Sequence, residues 1–310
     1  MRSTTIWVGT LHAVSSIAHD GERRGTVSLL RRERFVSPDG EFVHVPVVSG
    51  NALRGALRRT ACDLFVDALE LEGELSLPAA QLLRGGGGAL HKSSKAPLTG
   101  ARLARLRQLV PPVAVFGGTV GSRTLSGALQ VGKVVPHLVE TAHLITPTPA
   151  ADIVSTSSST TSLPDVFTAT QLETYTRVED TEAVLSVSAV PVRPDGSLEA
   201  RTVLEDAPAA AGATGQMLYR IETFPAGTRF DAWLQLLRAD PIVSDFTHEA
   251  VHTFTAGGRL GGRRGIGHGR FTADWTITAI PAIDGEDGVR WREQLLGHRQ
   301  EILDLLATLP

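Results

Sequence analysis

Hydrophobic and polar residues alternate along several stretches of the chain, and this period of two is typical of half-buried β-strands. The first such stretch is Thr4–Ala13. Two more, Thr26–Val36 and Glu41–Val48, flank the turn sequence Ser37–Gly40 and predict strands around a tight turn. Alternating apolar residues within Met217–Leu237 indicate core strands in the second half of the chain.

Other stretches repeat their apolar residues every three or four positions, which predicts helices. The clearest helix follows Asn51 and extends to about Leu71, and further helices are predicted for Gly100–Val110 and Val289–Leu309. Strands and helices are mixed without a regular βα repeat. The pattern therefore favours an α+β fold over a doubly wound parallel sheet.

Two segments of low complexity interrupt this pattern. Thr146–Ser162 is rich in Thr, Ser, Pro and Ala, and Ala207–Gly215 is rich in Ala and Gly. Such compositions are typical of loops and linkers. We interpret the two segments as the edges of an insertion that projects from a compact body, and we expect the body to fold without Thr146–Gly212.

Length, hydropathy and cysteine content exclude several classes of protein. The 310 residues are enough for one large domain or two ordinary ones. No run approaches the roughly 18 consecutive apolar residues of a transmembrane helix, and the single cysteine excludes a disulfide framework. The first residues contain no compact apolar region followed by a cleavage site. We therefore expect a cytoplasmic protein with no membrane partner, no metal and no cofactor.

Positive and negative charges are nearly balanced, but almost all of the positive charges are arginines. Thirty Lys and Arg residues face 33 Asp and Glu residues, which gives a net charge of −3. Only three of the 30 cations are lysines, so 27 are arginines. The planar guanidinium group donates two parallel hydrogen bonds to a phosphate and stacks on bases. A net negative charge does not exclude nucleic-acid binding, because the distribution of the cations matters more than their sum.

The first cluster of candidate chemistry is Val47–Arg59, in which a strand leads through a Ser-Gly-Asn turn into a helix. Free backbone N–H groups at a helix start attract anions. Arg54 and Arg58 are four residues apart and so share one helix face. These features predict a phosphate site, although an ordinary helix cap with a solvated basic face is an equally simple interpretation.

The second cluster is Gly257–Arg270, which contains seven glycines among its first 13 residues together with several arginines. Glycines let a backbone approach a phosphate chain closely. A disordered loop is the alternative. The stretch Gly265–Gly269 resembles part of a dinucleotide fingerprint, but Phe271–Ile280 is predicted to be a strand and not the helix that such a site requires.

The third cluster is Ile17–Gly25, a loop after the first predicted strand. It contains His19, Asp20, Arg23 and Arg24, which could support acid–base chemistry, although a solvated turn is the favoured interpretation. The sequence contains neither a nucleophile elbow nor a His-Glu-x-x-His pair.

These clusters, in this order, resemble the CRISPR-associated RAMP superfamily. Val45–Gly55 (VPVVSGNALRG) is similar to the signature that opens its first helix, and Val115–Gly118 (VFGG) resembles its Leu-Phe-Gly segment. Gly261–Gly269 is similar to its glycine-rich loop, and Tyr175–Asp180 (YTRVED) to the arm of its backbone subunits. With His19 and the LLRR sequence at 29–32 ahead of the signature, the chain looks most like the backbone subunit of type IV systems.

The resemblance implies a modified RRM or ferredoxin-like palm with finger and thumb insertions. Residues 1–140 would form the first part of the palm, with a finger at about 72–110. Residues 141–215 would form the thumb, and 216–310 the second part of the palm with the glycine-rich loop and the last helix.

The resemblance also implies a non-catalytic subunit that binds guide RNA, stacks with copies of itself along the RNA, contacts other effector subunits and supports pairing with a target nucleic acid. Two alternatives stay open: a type III-like ribonuclease that uses Asp20 and Mg²⁺, and a nucleotide-binding enzyme built on Gly261–Gly269. The residues predicted to contact RNA are His19, Arg23, Arg24, Arg31, Arg32, Ser49, Gly50, Asn51, Arg54, Arg58, Arg59, Arg177, Arg259, Arg263, Arg264, Gly265, Gly267, His268 and Arg270.

Overall fold

The computed structural model describes residues 2–87, 99–120, 123–144, 163–177, 217–280 and 291–309. Their helices are α1 (Gly50–Ala68), α2 (Leu77–Gly85), α3 (Gly100–Leu109), α4 (Pro111–Phe116), α5 (Pro241–Gly257), α6 (Trp291–Leu296) and α7 (Arg299–Ala307). Their strands are β1 (Ser3–Ala13), β2 (Asp20–Arg24), β3 (Val27–Leu30), β4 (Arg32–Val36), β5 (Phe42–Pro46), β6 (Gly118–Val120), β7 (Arg123–Leu125), β8 (Leu129–Val131), β9 (Val135–Pro136), β10 (Gln171–Arg177), β11 (Met217–Thr223), β12 (Arg229–Ala239) and β13 (Phe271–Ile280).

The central sheet has the strand order β13-β1-β12-β8, with β9 also paired to β12. All of these pairs are antiparallel. Together with α1 and α5, the order along the chain is β1-α1-β8-β12-α5-β13, which is the βαββαβ succession of a ferredoxin-like unit. The predicted α+β class is confirmed.

The core lies between this sheet and its helices. Trp7 on β1 and Leu234 on β12 are opposite each other in the register, and both are buried. On the helix side, the Phe246 ring of α5 meets the rings of Phe65 and Trp291 edge-on, with centroid distances of 6.4 and 5.0 Å. This continuous apolar layer fixes α1 against the sheet. Among the described residues, no helix is long and apolar enough to cross a membrane.

A second sheet has the order β10-β11-β3-β2, and its edge strand β2 lies within the charged stretch Ile17–Gly25. Its centre is the buried carboxylate of Glu222, which accepts hydrogen bonds from the Leu30 N–H at 2.9 Å, Arg32 Nη1 at 2.8 Å and Thr170 Oγ1 at 2.9 Å. Burial raises the pKa of Glu222, but these donors outweigh it and lower the pKa overall. Arg32 was predicted to contact RNA. In the structure, its guanidinium group is hydrogen-bonded to Glu222 instead.

The predicted turn at Ser37–Gly40 joins β4 and β5, which pair antiparallel. One face of this hairpin packs into a small second core through Phe35, Val43 and Val45. The strand predicted for Thr26–Val36 divides into β3 and β4 at Arg31. Two other predictions also differ from the structure. The stretch Val113–Val135, which glycines interrupt, predicts several short strands, but its first residues belong to the short helix α4. The last helix divides into α6 and α7 around Gly297.

The regions predicted as finger and thumb are partly described. In the finger region, Leu82 on α2 and Leu106 on α3 are buried in the main core. In the thumb region, residues 145–162 and 178–215 lie outside the described part of the chain. The intervening β10 pairs with β11 along its whole length, from Gln171 with Thr223 to Arg177 with Met217.

This pairing places the boundary of a removable segment after β10, and not at Thr146. We predict that replacing residues 178–216 with a short Gly/Ser linker leaves the fold intact, because Arg177 and Met217 are opposite each other in the register. The melting temperature should change by only a few degrees, whereas deletion of 146–212 also removes β10 and should cause aggregation. Unfolding of the 178–216 replacement would contradict the prediction.

Candidate nucleic-acid interface

The loop Ile17–Asp20 brings the three charged clusters of the sequence together. His19 Nε2 lies 3.2 Å from Ser49 Oγ at the start of α1. The carbonyl of Ala18 accepts a hydrogen bond from the Gly262 N–H at 2.8 Å in the glycine-rich loop. Asp20 Oδ2 lies 3.5 Å from Arg263 Nη2 in the same loop. Segments more than 200 residues apart in sequence therefore form one surface.

The start of α1 has a serine cap followed by a glycine that packs closely against a neighbouring backbone segment. Ser49 has an extended backbone, and its Oγ accepts a hydrogen bond from the Ala52 N–H at 3.2 Å. A Cβ atom on Gly50 would lie 2.9 Å from the carbonyl oxygen of Gly132, so a side chain does not fit there. The N–H groups of Ala52 and Leu53 both donate to the Ser49 carbonyl, so the N–H groups of Gly50 and Asn51 are the ones that could meet an anion.

A cavity of about 450 Å³ opens at this helix start. Its lining residues are Arg31, Glu33, Ser49, Gly50, Asn51, Arg54, Val131 and Lys133. Glu33 contacts two cations in it: Arg31 Nε lies 3.7 Å from Glu33 Oε1, and Lys133 Nζ pairs with Oε2. The side chains of Arg31 and Lys133 are each about half exposed. Lys133 was not predicted as a site residue, although it is one of only three lysines and follows a glycine.

Arg31 connects the cavity to the loop through its backbone. Its N–H donates to the His19 carbonyl at 2.9 Å, and its own carbonyl accepts from the Val47 N–H at 2.9 Å. The pKa of His19 is lowered, mainly by burial and then by the charge of Arg31. With a neutral His19 ring next to Ser49, the positive charge of the cavity is that of Arg31, Arg54 and Lys133.

The glycine-rich loop has glycines of two kinds. A Cβ atom on Gly261, where φ is +82°, would lie 2.4 Å from the carbonyl oxygen of Ala18, and one on Gly269 would lie 2.3 Å from that of Leu260. These glycines allow the loop to pack on the protein itself. Gly265 and Gly267 face open space instead.

The arginines of this loop create a concentrated positive charge. Arg264 Nη2 donates to the Arg259 carbonyl at 3.3 Å. The pKa of Arg264 is lowered by burial and by the nearby charges of Arg59 on α1 and Arg259. Three cations so close together produce a strong local potential for an anionic polymer. Arg263 differs, because it contacts Asp20 and lies over the Tyr219 ring with a centroid distance of 5.9 Å.

Solved structures similar to this chain include one that matches nearly all of its length. It is a chain described as a type IV-B CRISPR complex, 30% identical, and the similarity covers 91% of this chain and 93% of that one with a TM-score of 0.55. No family model and no curated protein matches the sequence.

The chain belongs to the type IV CRISPR complex family. This similarity confirms the prediction of a CRISPR effector subunit that was based on the sequence motifs.

In this type IV CRISPR subunit, two predicted arginines face the protein interior. Arg58 is buried, and its Nη2 donates to the carbonyls of Phe116 at 2.7 Å and Gly117 at 3.1 Å. Burial and the charge of Arg54 lower the pKa of Arg58 to about 10. Arg54 donates to the carbonyls of Leu129 and Phe116, the latter at 2.8 Å. Only Arg54 also lines the cavity, so a phosphate-binding role for Arg58 is not compatible with its position.

His268 also has a role inside the protein. It is 4% exposed, and its Nε2 lies 2.7 Å from the Tyr175 hydroxyl and 3.7 Å from the Glu173 carboxylate on β10. Burial raises the pKa of Glu173, but hydrogen bonds led by that of Tyr175 lower it to about 2. This network attaches the glycine-rich loop to the second sheet, and it does not leave His268 available to a ligand.

The remaining predicted residues lie on the outer part of the surface. Arg23 and Arg24 are exposed on the edge strand β2, and Arg24 pairs with Glu22 at 3.0 Å. Asn51 and Arg270 are exposed as well. Arg177 ends β10, and its side chain lies outside the described residues.

Asp20, the candidate catalytic residue, is exposed and faces Arg263. Within the described part of the chain, no three or more His, Cys, Asp or Glu residues form a group that could hold a metal ion. The observed contact of Asp20 is therefore an ion pair that joins β2 to the glycine-rich loop.

The interior position of Arg58 has a measurable consequence. We predict that Arg58→Met lowers the free energy of unfolding by about 2 kcal/mol, because it removes the donor to the Gly117 carbonyl and one of the two donors to the Phe116 carbonyl in the α4–β6 turn. Arg59→Met, on the exposed face of the same helix, should change stability by less than about 0.5 kcal/mol. Urea denaturation of both variants measures the difference. Equal stability of the two variants would contradict the assignment.

Proposed function

We propose that this type IV CRISPR subunit binds guide RNA without cutting it, and that copies stack along the RNA as the backbone of the effector complex. The observation that carries the proposal is the merging of the α1 start, the basic cavity and the glycine-rich loop into one surface around Ile17–Asp20. Two separate candidate anion sites on one surface, the cavity at the α1 start and the glycine-rich loop, fit a polyanion better than a small ligand.

The chemistry of this surface fits a phosphate backbone. Free N–H groups at the start of α1 and the cations Arg31 and Lys133 can hold one phosphate, and the cluster of Arg59, Arg259 and Arg264 can hold others. Such contacts follow the backbone and carry no sequence information. Base pairing between the guide and a target nucleic acid would supply the sequence specificity.

The fold supports the remaining parts of the proposal. The βαββαβ sheet fits the RAMP-type palm that the sequence motifs implied. We assign the thumb to the part of the chain between β10 and β11, because the flanking residues Arg177 and Met217 are opposite each other in the register. We also propose that the protein contacts other effector subunits and is located in the cytoplasm.

The cavity cations provide the first test. We predict that Arg31→Ala with Lys133→Ala weakens binding to single-stranded RNA and reduces the slope of log affinity against log salt by about 0.7, the contribution of one phosphate contact in single strands. Arg123→Ala, an exposed arginine on β7, is the matched control and should bind as wild type. Fluorescence anisotropy at four salt concentrations measures the slope. An unchanged slope would exclude the cavity from the RNA site.

A substitution of Glu33 should change RNA affinity in the opposite direction, towards tighter binding. Its carboxylate pairs with both Arg31 and Lys133, so RNA phosphate must compete with it for these cations. We predict that Glu33→Gln tightens RNA binding by about tenfold at low salt, which corresponds to the loss of one charge pair in a partly buried site. Glu41→Gln, an exposed change at the hairpin turn, is the control. Weaker binding by Glu33→Gln would mean that Glu33 supports the site and does not compete for it.

The absence of cleavage is a separate expectation. We propose that Asp20 positions Arg263 and does not bind a catalytic metal, because its carboxylate faces a guanidinium group. Guide-bound complexes incubated with matching RNA and Mg²⁺ should keep that RNA intact, and Asp20→Asn should change affinity but not target length. Regularly spaced cleavage that disappears in Asp20→Asn would favour the ribonuclease alternative.

A further inference from the structure

The β4–β5 hairpin exposes a face that is both apolar and basic. Phe42 is 60% exposed, and Val36, its partner in the register, is 48% exposed. The Arg34 guanidinium carbon lies 3.5 Å from the centroid of the Phe42 ring, and His44 is exposed opposite Arg34. We call these four residues the hairpin face. A Phe side chain with this degree of exposure, next to an aliphatic residue and a cation, is typical of a surface that contacts another protein.

A surface of complementary character follows the end of α1. Asp67, Glu70 and Glu72 are exposed there, and Leu77 at the start of α2 is 67% exposed. We call these four residues the acidic turn. Glu70 has a φ of +50°, a conformation that residues other than glycine rarely adopt. Arg299 of α7 donates to its carbonyl at 2.8 Å, so a distant helix holds the turn in this conformation.

The two surfaces are at opposite ends of α1. The hairpin continues through β5 into Ser49, the residue that caps the first turn of α1, whereas the acidic turn follows the last turn. A helix of 19 residues is about 28 Å long. The two surfaces are therefore separate patches of one copy. A contact between them on different copies is heterologous, and heterologous contacts form an open array wherever the rotation between copies does not close a ring.

We propose that the hairpin face of one copy docks on the acidic turn of the next copy. Each surface offers an apolar centre, Phe42 with Val36 on one side and Leu77 on the other, beside charges of opposite sign. RNA does not fit both surfaces, because its phosphates are repelled by the acidic turn. This inference rests on the proposed assembly of copies along guide RNA, and it identifies the surfaces that would join them.

The test uses charge reversal in the full-length protein. Arg34→Glu places like charges at the contact, and so does Glu70→Lys with Glu72→Lys. Either variant should lose at least about tenfold in affinity for polyuridine that spans many sites, while affinity for an oligoribonucleotide of about six nucleotides stays within about twofold of wild type. A chain that carries all three substitutions restores opposite charges and should recover assembly on polyuridine. Arg123→Glu is the control for a charge reversal elsewhere.

The outcomes separate the interface from RNA binding. Recovery of assembly in the triple variant supports the proposed contact. Wild-type assembly by both single-surface variants would overturn it, and so would loss of affinity for the short RNA in Arg34→Glu, because the hairpin face would then belong to the RNA site. Sedimentation of the same proteins without RNA, at raised concentration, measures the contact directly, so a failure of RNA binding cannot be mistaken for a failure of the interface.

Discussion

The arrangement of the whole surface depends on the main-chain contacts of the loop Ile17–Asp20. Its carbonyls accept from Gly262 and Arg31, and its histidine contacts Ser49. The glycine at 261 is needed because any side chain there would collide with the Ala18 carbonyl. A short loop after β1 thereby sets the distance between the start of α1 and the glycine-rich loop, which are the two features that could hold a phosphate chain.

The cations at and beneath this surface divide into two functional groups. Arg32, Arg54 and Arg58 donate to a buried carboxylate or to backbone carbonyls, and their hydrogen bonds connect distant segments. Arg31, Lys133 and the cluster around Arg264 keep exposed or partly exposed guanidinium and ammonium groups. The first group stabilises the shape of the surface, and the second group gives it its charge. Counting arginines in the sequence could not distinguish these groups.

Several features could be predicted from the sequence because their causes are local. The alternation in β1, the turn between β4 and β5, and the Ser-Gly-Asn start of α1 each depend on neighbouring residues. The short apolar helix α4 was missed, since periodicity cannot distinguish a buried helix of six residues from a strand. The interior roles of Arg58 and His268 depend on carbonyls and a tyrosine far away in sequence. Helical spacing predicted that Arg54 and Arg58 share a face, but not that this face meets the chain at Phe116 and Gly117.

We propose that this surface holds guide RNA as part of an array of identical subunits. Nuclease protection of the RNA that accompanies the purified protein distinguishes this arrangement from others. The protected fragments should have lengths that differ by a constant number of nucleotides, because each copy would cover the same length of backbone. Protein that is free of RNA after purification at low salt, or RNA that is digested completely, would contradict it.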